Sequence, residues 1–210
     1  MKIYIGNYIE VLQSFHEICE VDLVVSEKRN VDERIVTYCR NQNIQLMLAE
    51  SAEDLHSKLK PLDSADLCIV ASFGLLLKSE FIRKTDLIVN IHPGSLMNSR
   101  GRHPLPFAIK KGLPFMSLTA HLIEDEKIDN GPVVAEWNIP IDYSGTYEEN
   151  DRRLRSILPF ITAYILKQYI NNNIYTASID LSKAKYNLRL TADELGEMMQ
   201  AKDLKKYNIT

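Results

Sequence analysis

The stretch DLIVNIHPG, residues 86–94, has the composition of a strand that lies inside a sheet. Its apolar residues are continuous up to Asn90, whereas a strand with one face in water would alternate apolar and polar residues. Asn90 and His92 are two positions apart, so both side chains point to the same face of an extended backbone. Pro93 and Gly94 then stop the strand. The stretch predicts a buried strand that ends on an amide and an imidazole.

Four similar apolar runs precede this strand, and helical patterns separate them. The predicted strands are residues 2–7, 21–27, 44–49 and 66–74, and the predicted helices are residues 8–18, 31–43 and 52–60. Buried strands that alternate with helices predict an α/β protein with a Rossmann-like, mostly parallel twisted sheet and helices on both faces. Ligands of such sheets bind at the carboxyl ends of the strands, where we expect Asn7, Tyr8, Phe73 and Gly74.

The pattern changes after residue 100. A helix is predicted over residues 101–112, and two strands, 116–124 and 131–141, follow it with Asn130-Gly131 as the turn signal between them. We expect a catalytic domain over residues 1–145. Residues 146–210 are expected to form a short, mainly helical C-terminal extension packed on the same domain.

Two signals locate helix ends within this extension. A helical stretch runs from Thr146 to about residue 171, and Pro159 should start a new turn or kink it. Near the end of the chain, Thr191 and Glu194 have the spacing of a capping box, which predicts a helix over residues 191–200.

Composition excludes several classes of protein. The chain has 210 residues, and 25 basic against 28 acidic residues give a net charge of −3, so no overall positive field attracts nucleic acid. No apolar run reaches the roughly 20 residues that span a bilayer, and the N-terminus lacks the apolar core of a signal peptide. These features predict a cytoplasmic protein without a membrane partner. Cys19, Cys39 and Cys68 are isolated, which predicts reduced core residues and no metal site.

A second group of polar residues further along the chain could form one site with Asn90 and His92. His121 lies in a predicted strand, and Asp125 and Asp129 lie in the acidic loop that follows it. Taken singly, each has an ordinary explanation, as a core histidine or as solvated carboxylates. Together they can form one site, where an amide donates to a developing oxyanion, an imidazole moves a proton and a carboxylate orients the imidazole.

Three segments in this order resemble the folate-dependent formyltransferases: NIHPGS (90–95), RGRHPLPFAI (100–109) and SLTAHLIEDEKIDNGPVV (117–134). The sugar-nucleotide N-formyltransferases are the most similar branch. His121 and Asp129 are one residue further apart than the family pattern has them, which leaves Asp125 as an alternative carboxylate. The intact Asp-x-Gly pairing of Asp129 and Gly131 favours Asp129.

The resemblance implies transfer of a formyl group from N10-formyltetrahydrofolate to a primary amine, with Asn90, His92 and Asp129 as catalytic residues and no metal. The residues expected to bind the folate are Phe73, Gly74, Leu75, Leu76, His121 and Asp125. Those expected to bind the acceptor are Asn7, Tyr8, Gly94, Ser95, Arg100, Gly101 and Pro104.

Features that the chain lacks help to choose the acceptor. IGNYIEVL (5–12) has none of the Gly-Ser-rich phosphate loop of glycinamide ribonucleotide formyltransferases, and no basic second domain like that of methionyl-tRNA formyltransferases is evident. The resemblance therefore favours a nucleotide-linked amino sugar, such as a dideoxy amino sugar for surface glycans, and is compatible with a homodimer. Glycinamide ribonucleotide or methionyl-tRNA as acceptor, a formyl-folate hydrolase and a catalytically silent binding module remain alternatives.

Overall fold

A computed structural model describes residues 1–184, 186–187 and 190–208 of the chain. The strands are β1 (Lys2–Gly6), β2 (Leu23–Glu27), β3 (Gln45–Ala49), β4 (Leu67–Ala71), β5 (Ile88–His92), β6 (Arg100–Gly101), β7 (Phe115–Leu122), β8 (Val133–Pro140) and β9 (Tyr186–Asn187). The helices are α1 (Ile9–Cys19), α2 (Glu33–Gln42), α3 (Ala52–Leu59), α4 (Ser79–Arg83), α5 (Pro104–Lys110), α6 (Tyr147–Arg155), α7 (Leu158–Ile170) and α8 (Ala192–Gln200).

The main sheet has seven strands in the order β3-β2-β1-β4-β5-β7-β8. The first five are parallel, and the β7–β8 hairpin adds two antiparallel strands beside β5. Residues alternate between its faces: Tyr4 packs with Phe15 of α1, whereas Ile3 and Ile5 pack with Leu55 of α3. The predicted mostly parallel α/β sheet with helices on both faces is confirmed.

The register of the parallel strands brings their carboxyl ends together. Gly6 pairs with Ala71, and Ala71 pairs with Ile91, so the residues that follow β1 and β4 lie beside the end of β5. On the other side of β5, Asn90 pairs directly with His121. The fold thus collects the polar residues of three strands at one edge of the sheet.

Several predictions about helices are confirmed. Thr191 and Glu194 form a reciprocal capping box, and α8 begins directly after Thr191. Pro159 lies in the first turn of α7, so the long helical stretch is two helices separated by residues 156–157. Helix α7 packs on α1 in the main core. The boundary between residues 145 and 146 stays a prediction.

The helix predicted over residues 101–112 is wrong at its start. Arg100 and Gly101 form the short strand β6, and the helix begins only at Pro104. Gly101 (φ +92°) and His103 (φ +53°) adopt left-handed backbone conformations, which a right-handed helix cannot contain.

The prediction of a tight turn at Asn130-Gly131 is also wrong, because the connection between the two strands is longer. The strands of the hairpin are joined by residues 123–132, and Asp129 takes the left-handed conformation there, with φ +47°. Gly131 is needed for another reason, because a Cβ atom at this position would lie 1.8 Å from the carbonyl oxygen of Leu122.

Two further features are the state of the cysteines and the length of the helices. Cys19, Cys39 and Cys68 are free and buried, as the sequence predicts. Across the described ranges, none of the helices is sufficiently long and apolar to cross a membrane.

Candidate active site

Four polar side chains converge at the carboxyl end of β5. Asn90 and His92 come from β5, His121 from β7, and Asp129 from the loop that follows β7. Asp129 Oδ1 lies 3.3 Å from Asn90 Nδ2, 3.6 Å from His92 Nδ1 and 3.5 Å from His121 Nε2. A single carboxylate oxygen therefore contacts the other three side chains.

The neighbours of His92 decide which of its two ring nitrogens carries the hydrogen when the ring is neutral. His92 Nε2 lies 3.0 Å from the carbonyl oxygen of Ser99, and because a carbonyl only accepts, Nε2 is the protonated nitrogen. Nδ1 then presents a lone pair on the side of Asp129. Burial lowers the pKa of His92, although Asp129 and the Ser99 carbonyl act to raise it. At neutral pH the ring is thus an uncharged base whose protonated form Asp129 stabilises.

Asp129 is held in its ionised form. Burial acts to raise the pKa of this carboxyl, but the positive charges that His92 and His121 carry when protonated, together with the backbone N–H of Gly101, outweigh burial, so the pKa lies below its ordinary value. The Gly101 N–H donates to Oδ2 at 3.0 Å, which leaves Oδ1 to the two imidazoles and Asn90.

His121 supports Asn90. Its Nδ1–H donates to the carbonyl oxygen of Leu122 at 2.9 Å, so Nε2 of the neutral ring accepts from Asn90 Nδ2 at 3.0 Å. Asn90 therefore directs its two N–H groups at His121 and Asp129. His121 is buried, and its predicted role in binding folate stays a prediction. The sequence did not reveal its support of Asn90, because this bond depends on the pairing of β5 with β7.

A packed turn holds the end of β5. The hydroxyl of Thr119 donates to the carbonyl oxygen of Gly94 at 2.7 Å, and Ser95 N–H donates to Ser99 Oγ at 2.8 Å. A Cβ atom at Gly94 would lie 2.6 Å from Pro104 Cβ. Gly94, Ser95 and Pro104 thus belong to the same packed turn as Ser99, whose carbonyl oxygen bonds to His92, and their predicted role in binding the acceptor stays a prediction. Sequence reasoning gave no role to Thr119 or Ser99, which bond to this turn.

Arg100 points at the protein rather than at an open site. Its guanidinium donates to the Ile128 carbonyl oxygen and to Asn130 Oδ1, at 2.9 and 3.0 Å from Nη2, and the side chain is buried. Ile128 and Asn130 flank Asp129. Arg100 and Gly101, predicted to bind the acceptor, therefore both contact the loop that carries the carboxylate.

The two candidate carboxylates have different surroundings. Asp125 is exposed, and it accepts from the backbone N–H of Lys127 at 2.8 Å. Asp129 contacts Asn90 and His92. The arrangement favours Asp129 as the carboxylate of the site, despite the longer spacing from His121, where a register shift interrupts the β7–β8 pairing.

The residues after β4 form an apolar rim beside the site. Phe73 and Leu75 are partly buried against the core, Leu76 is exposed, and Gly74 N–H donates to Glu27 at the end of β2. This placement is compatible with the predicted role of the segment in binding folate, which stays a prediction.

Asn7 and Tyr8 follow β1 at the same edge. The Tyr8 ring is buried under the guanidinium of Arg155, 4.8 Å from its centre, and burial raises its pKa to about 12. The side-chain oxygen of Asn7 is buried and has no hydrogen-bond partner in the part of the chain that the structure describes. Within that same part, no cluster of three His, Cys, Asp or Glu side chains has a metal-site arrangement.

The chain matches the family model for formyl transferase over residues 14–160, which includes all four side chains of the site. The methionyl-tRNA formyltransferase of Thermotoga neapolitana is 26% identical over 147 residues, which are 70% of this chain and 45% of that protein. The mitochondrial methionyl-tRNA formyltransferase of Bos taurus is 32% identical over 51% of this chain and 27% of its own length. The chain spans less than half the length of these curated relatives.

Solved structures share the fold at lower identity. WlaRD, a sugar 3N-formyl transferase solved in the presence of dTDP and 5-N-formyl-THF, has a TM-score of 0.74 and 18% identity, over 89% of this chain and 68% of that one. With a match of the family to well over half of its residues, the chain belongs to the formyl transferase family.

Proposed function

We propose that this protein transfers the formyl group of N10-formyltetrahydrofolate to the primary amine of a nucleotide-linked amino sugar. The observation that carries the proposal is the contact of Asp129 Oδ1 with Asn90, His92 and His121 at 3.3–3.6 Å. The family supports formyl transfer. The similar fold of WlaRD, described above with dTDP and a formyl-folate, supports the acceptor class.

His92 supplies the base that this reaction needs. The neutral amine attacks the formyl carbon, and Nδ1 of His92 takes the proton that the new C–N bond makes acidic. Asp129, 3.6 Å from Nδ1, stabilises the imidazolium. His92 then returns the proton to the departing folate nitrogen as the old C–N bond breaks, so the ring ends the cycle neutral.

Asn90 supplies the oxyanion donor, but only after one of its bonds is exchanged. Both of its N–H groups are directed at protein acceptors, and the bond to Asp129 is the longer at 3.3 Å against 3.0 Å to His121. Once His92 is protonated, its Nδ1–H satisfies Asp129 in place of Asn90. The released N–H can then donate to the oxyanion, an interaction worth about 3 kcal/mol of barrier. Proton transfer to His92 and stabilisation of the oxyanion are thus coupled.

Methionyl-tRNA is the second candidate acceptor, because the Thermotoga neapolitana relative that matches 70% of the chain is a methionyl-tRNA formyltransferase. The net charge of −3 disfavours binding of a polyanion such as tRNA. The homodimer and the cytoplasmic location that the sequence suggested stay predictions.

A panel of acceptors tests the proposal. N10-formyltetrahydrofolate is supplied with dTDP-linked 3-amino and 4-amino sugars, glycinamide ribonucleotide or methionyl-tRNA, and mass spectrometry detects the formylated product. We expect product from an amino sugar, and loss of product in Asn90→Ala, His92→Ala and Asp129→Ala with circular dichroism unchanged. Formylation of methionyl-tRNA alone would overturn the acceptor class. Release of formate without an amine would indicate a hydrolase, and binding without turnover a silent module.

A further inference from the structure

The short strand β9 connects the C-terminal part of the chain to the loop that carries Asp129. It pairs in parallel with β6, so that Tyr186 lies opposite Arg100 and Asn187 opposite Gly101. These two strands form a sheet separate from the main one. A residue far along the sequence is thereby placed beside the candidate active site.

Tyr186 and Arg100 both hydrogen-bond to the carbonyl oxygen of Ile128. The guanidinium carbon of Arg100 lies 4.2 Å from the centre of the Tyr186 ring, and Nη2 donates to the Tyr186 hydroxyl at 2.7 Å. That hydroxyl donates to the carbonyl oxygen of Ile128 at 3.1 Å, to which Arg100 Nη2 also donates at 2.9 Å. Nη2 reaches Asn130 Oδ1 as well, at 3.0 Å. The pair therefore bonds to the residues on both sides of Asp129.

Asp129 needs such restraint because of its backbone. A φ of +47° is left-handed, a strained conformation that a residue other than glycine keeps where its surroundings impose it. The direction of the carboxylate follows from this backbone. If the peptide groups on either side relaxed, Oδ1 would leave its contacts with His92 and Asn90.

We propose that Tyr186 is a positioning residue, which acts through Arg100 to hold the Asp129 carboxylate against His92 and Asn90. Tyr186 is 52% exposed, so its ring adds little to the core, and the described hydrogen bonds and cation–π contact of its side chain are with Arg100 and the Ile128 carbonyl. The proposal rests on the proposed function in one respect, namely that Asp129 takes part in catalysis.

Kinetics on matched tyrosine variants test the effect on turnover. Tyr186→Leu removes both the ring and the hydroxyl, and Tyr186→Phe removes only the hydroxyl. Tyr175, which is 65% exposed and hydrogen-bonds Asn173, provides the control Tyr175→Leu. We expect kcat of Tyr186→Leu to fall by about 10- to 100-fold, the cost of misplacing a catalytic group by about 1 Å. Tyr186→Phe should fall less, KM should change little, and the control should match the wild type.

A second measurement does not depend on the acceptor. The ring of His92 faces Asp129, His121 and Arg100, and of these Asp129 raises its pKa. A carboxylate that has moved away should therefore lower the pKa of His92 further, which NMR titration of the imidazoles reports without substrate, with His92→Gln assigning the resonance.

The two measurements separate the proposals. A lower pKa of His92 in both Tyr186 variants, with Tyr175→Leu unchanged, supports the positioning role. An unchanged pKa of His92 in folded Tyr186→Phe and Tyr186→Leu overturns it, and Tyr186→Phe decides alone if Tyr186→Leu does not fold. If the wild type formylates none of the acceptors, the proposed function fails, while the NMR titration still decides the role of Tyr186.

Discussion

The backbone N–H of Gly101 donates to Oδ2 of Asp129 at 3.0 Å, on the opposite side of the carboxylate from the two histidines. The carboxylate thus has one oxygen bound to the scaffold and one directed at His92, His121 and Asn90. This division fixes the charge beside His92 in place. The predictions below follow from that charge and from the backbone that carries it.

Replacing Asp129 by asparagine should move the pH profile towards lower pH. His92 acts as a base only when neutral, and burial holds its pKa below the ordinary value of about 6.5, so kcat/KM should rise with pH through this lowered pKa. Asp129 raises the pKa of His92, so the Asp129→Asn change should lower this pKa further. The maximal rate should fall by about 100-fold or more, because the imidazolium loses its counter-charge.

The control for this experiment is Asp63→Asn, which removes an exposed carboxylate from the segment between α3 and β4. We expect its pH profile to match the wild type. A shift of the acidic limb to higher pH in Asp129→Asn would contradict the assignment of His92 as the base.

The two glycine-to-alanine changes Gly131→Ala and Gly196→Ala should have opposite effects on stability. A Cβ atom at Gly131 would meet the Leu122 carbonyl oxygen at 1.8 Å, and the backbone would have to move, at a cost of about 1–3 kcal/mol in free energy of unfolding. Gly196 lies in α8 with nothing within 4 Å of such an atom, so alanine there should stabilise the protein by about 0.5–1 kcal/mol. Urea denaturation measures both, and equal effects would contradict the close-approach explanation.

The sequence predicted the features that nearby residues determine, and it did not predict those that depend on residues far apart in the chain. The apolar run before Asn90 predicted the parallel strand and its polar end, because strand periodicity and turn residues act over a few positions. The bond from Asn90 to His121 depends on the register between two strands, which no short pattern contains. The pairing of Arg100 with Tyr186 joins positions far apart in sequence, so residues 101–103 were predicted as the start of a helix.

Removing the hydroxyl of Thr119 should loosen the turn behind His92. This hydroxyl is fully buried and donates to the Gly94 carbonyl oxygen, which Thr119→Val would leave without this partner in a site of the same shape. We expect a loss of about 1–3 kcal/mol in free energy of unfolding and a lower kcat. Thr37→Val, at an exposed position of α2, should change stability by less than about 0.5 kcal/mol. Equal urea midpoints for the two variants would show that the Gly94 bond is unimportant.

Replacing Asn90 by aspartate should shift the pH profile in the direction opposite to Asp129→Asn. A second negative charge at the end of β5 would favour the imidazolium form, so the pKa of His92 should rise and kcat/KM should need a higher pH to reach its plateau. The same charge would repel the oxyanion that Asn90 is proposed to stabilise, so kcat should fall by at least the about 100- to 1,000-fold expected for loss of one oxyanion donor. Asn30→Asp, at an exposed position after β2, controls for a general change in charge. Acidic limbs that move the same way in Asn90→Asp and Asp129→Asn would show that the limb does not report His92.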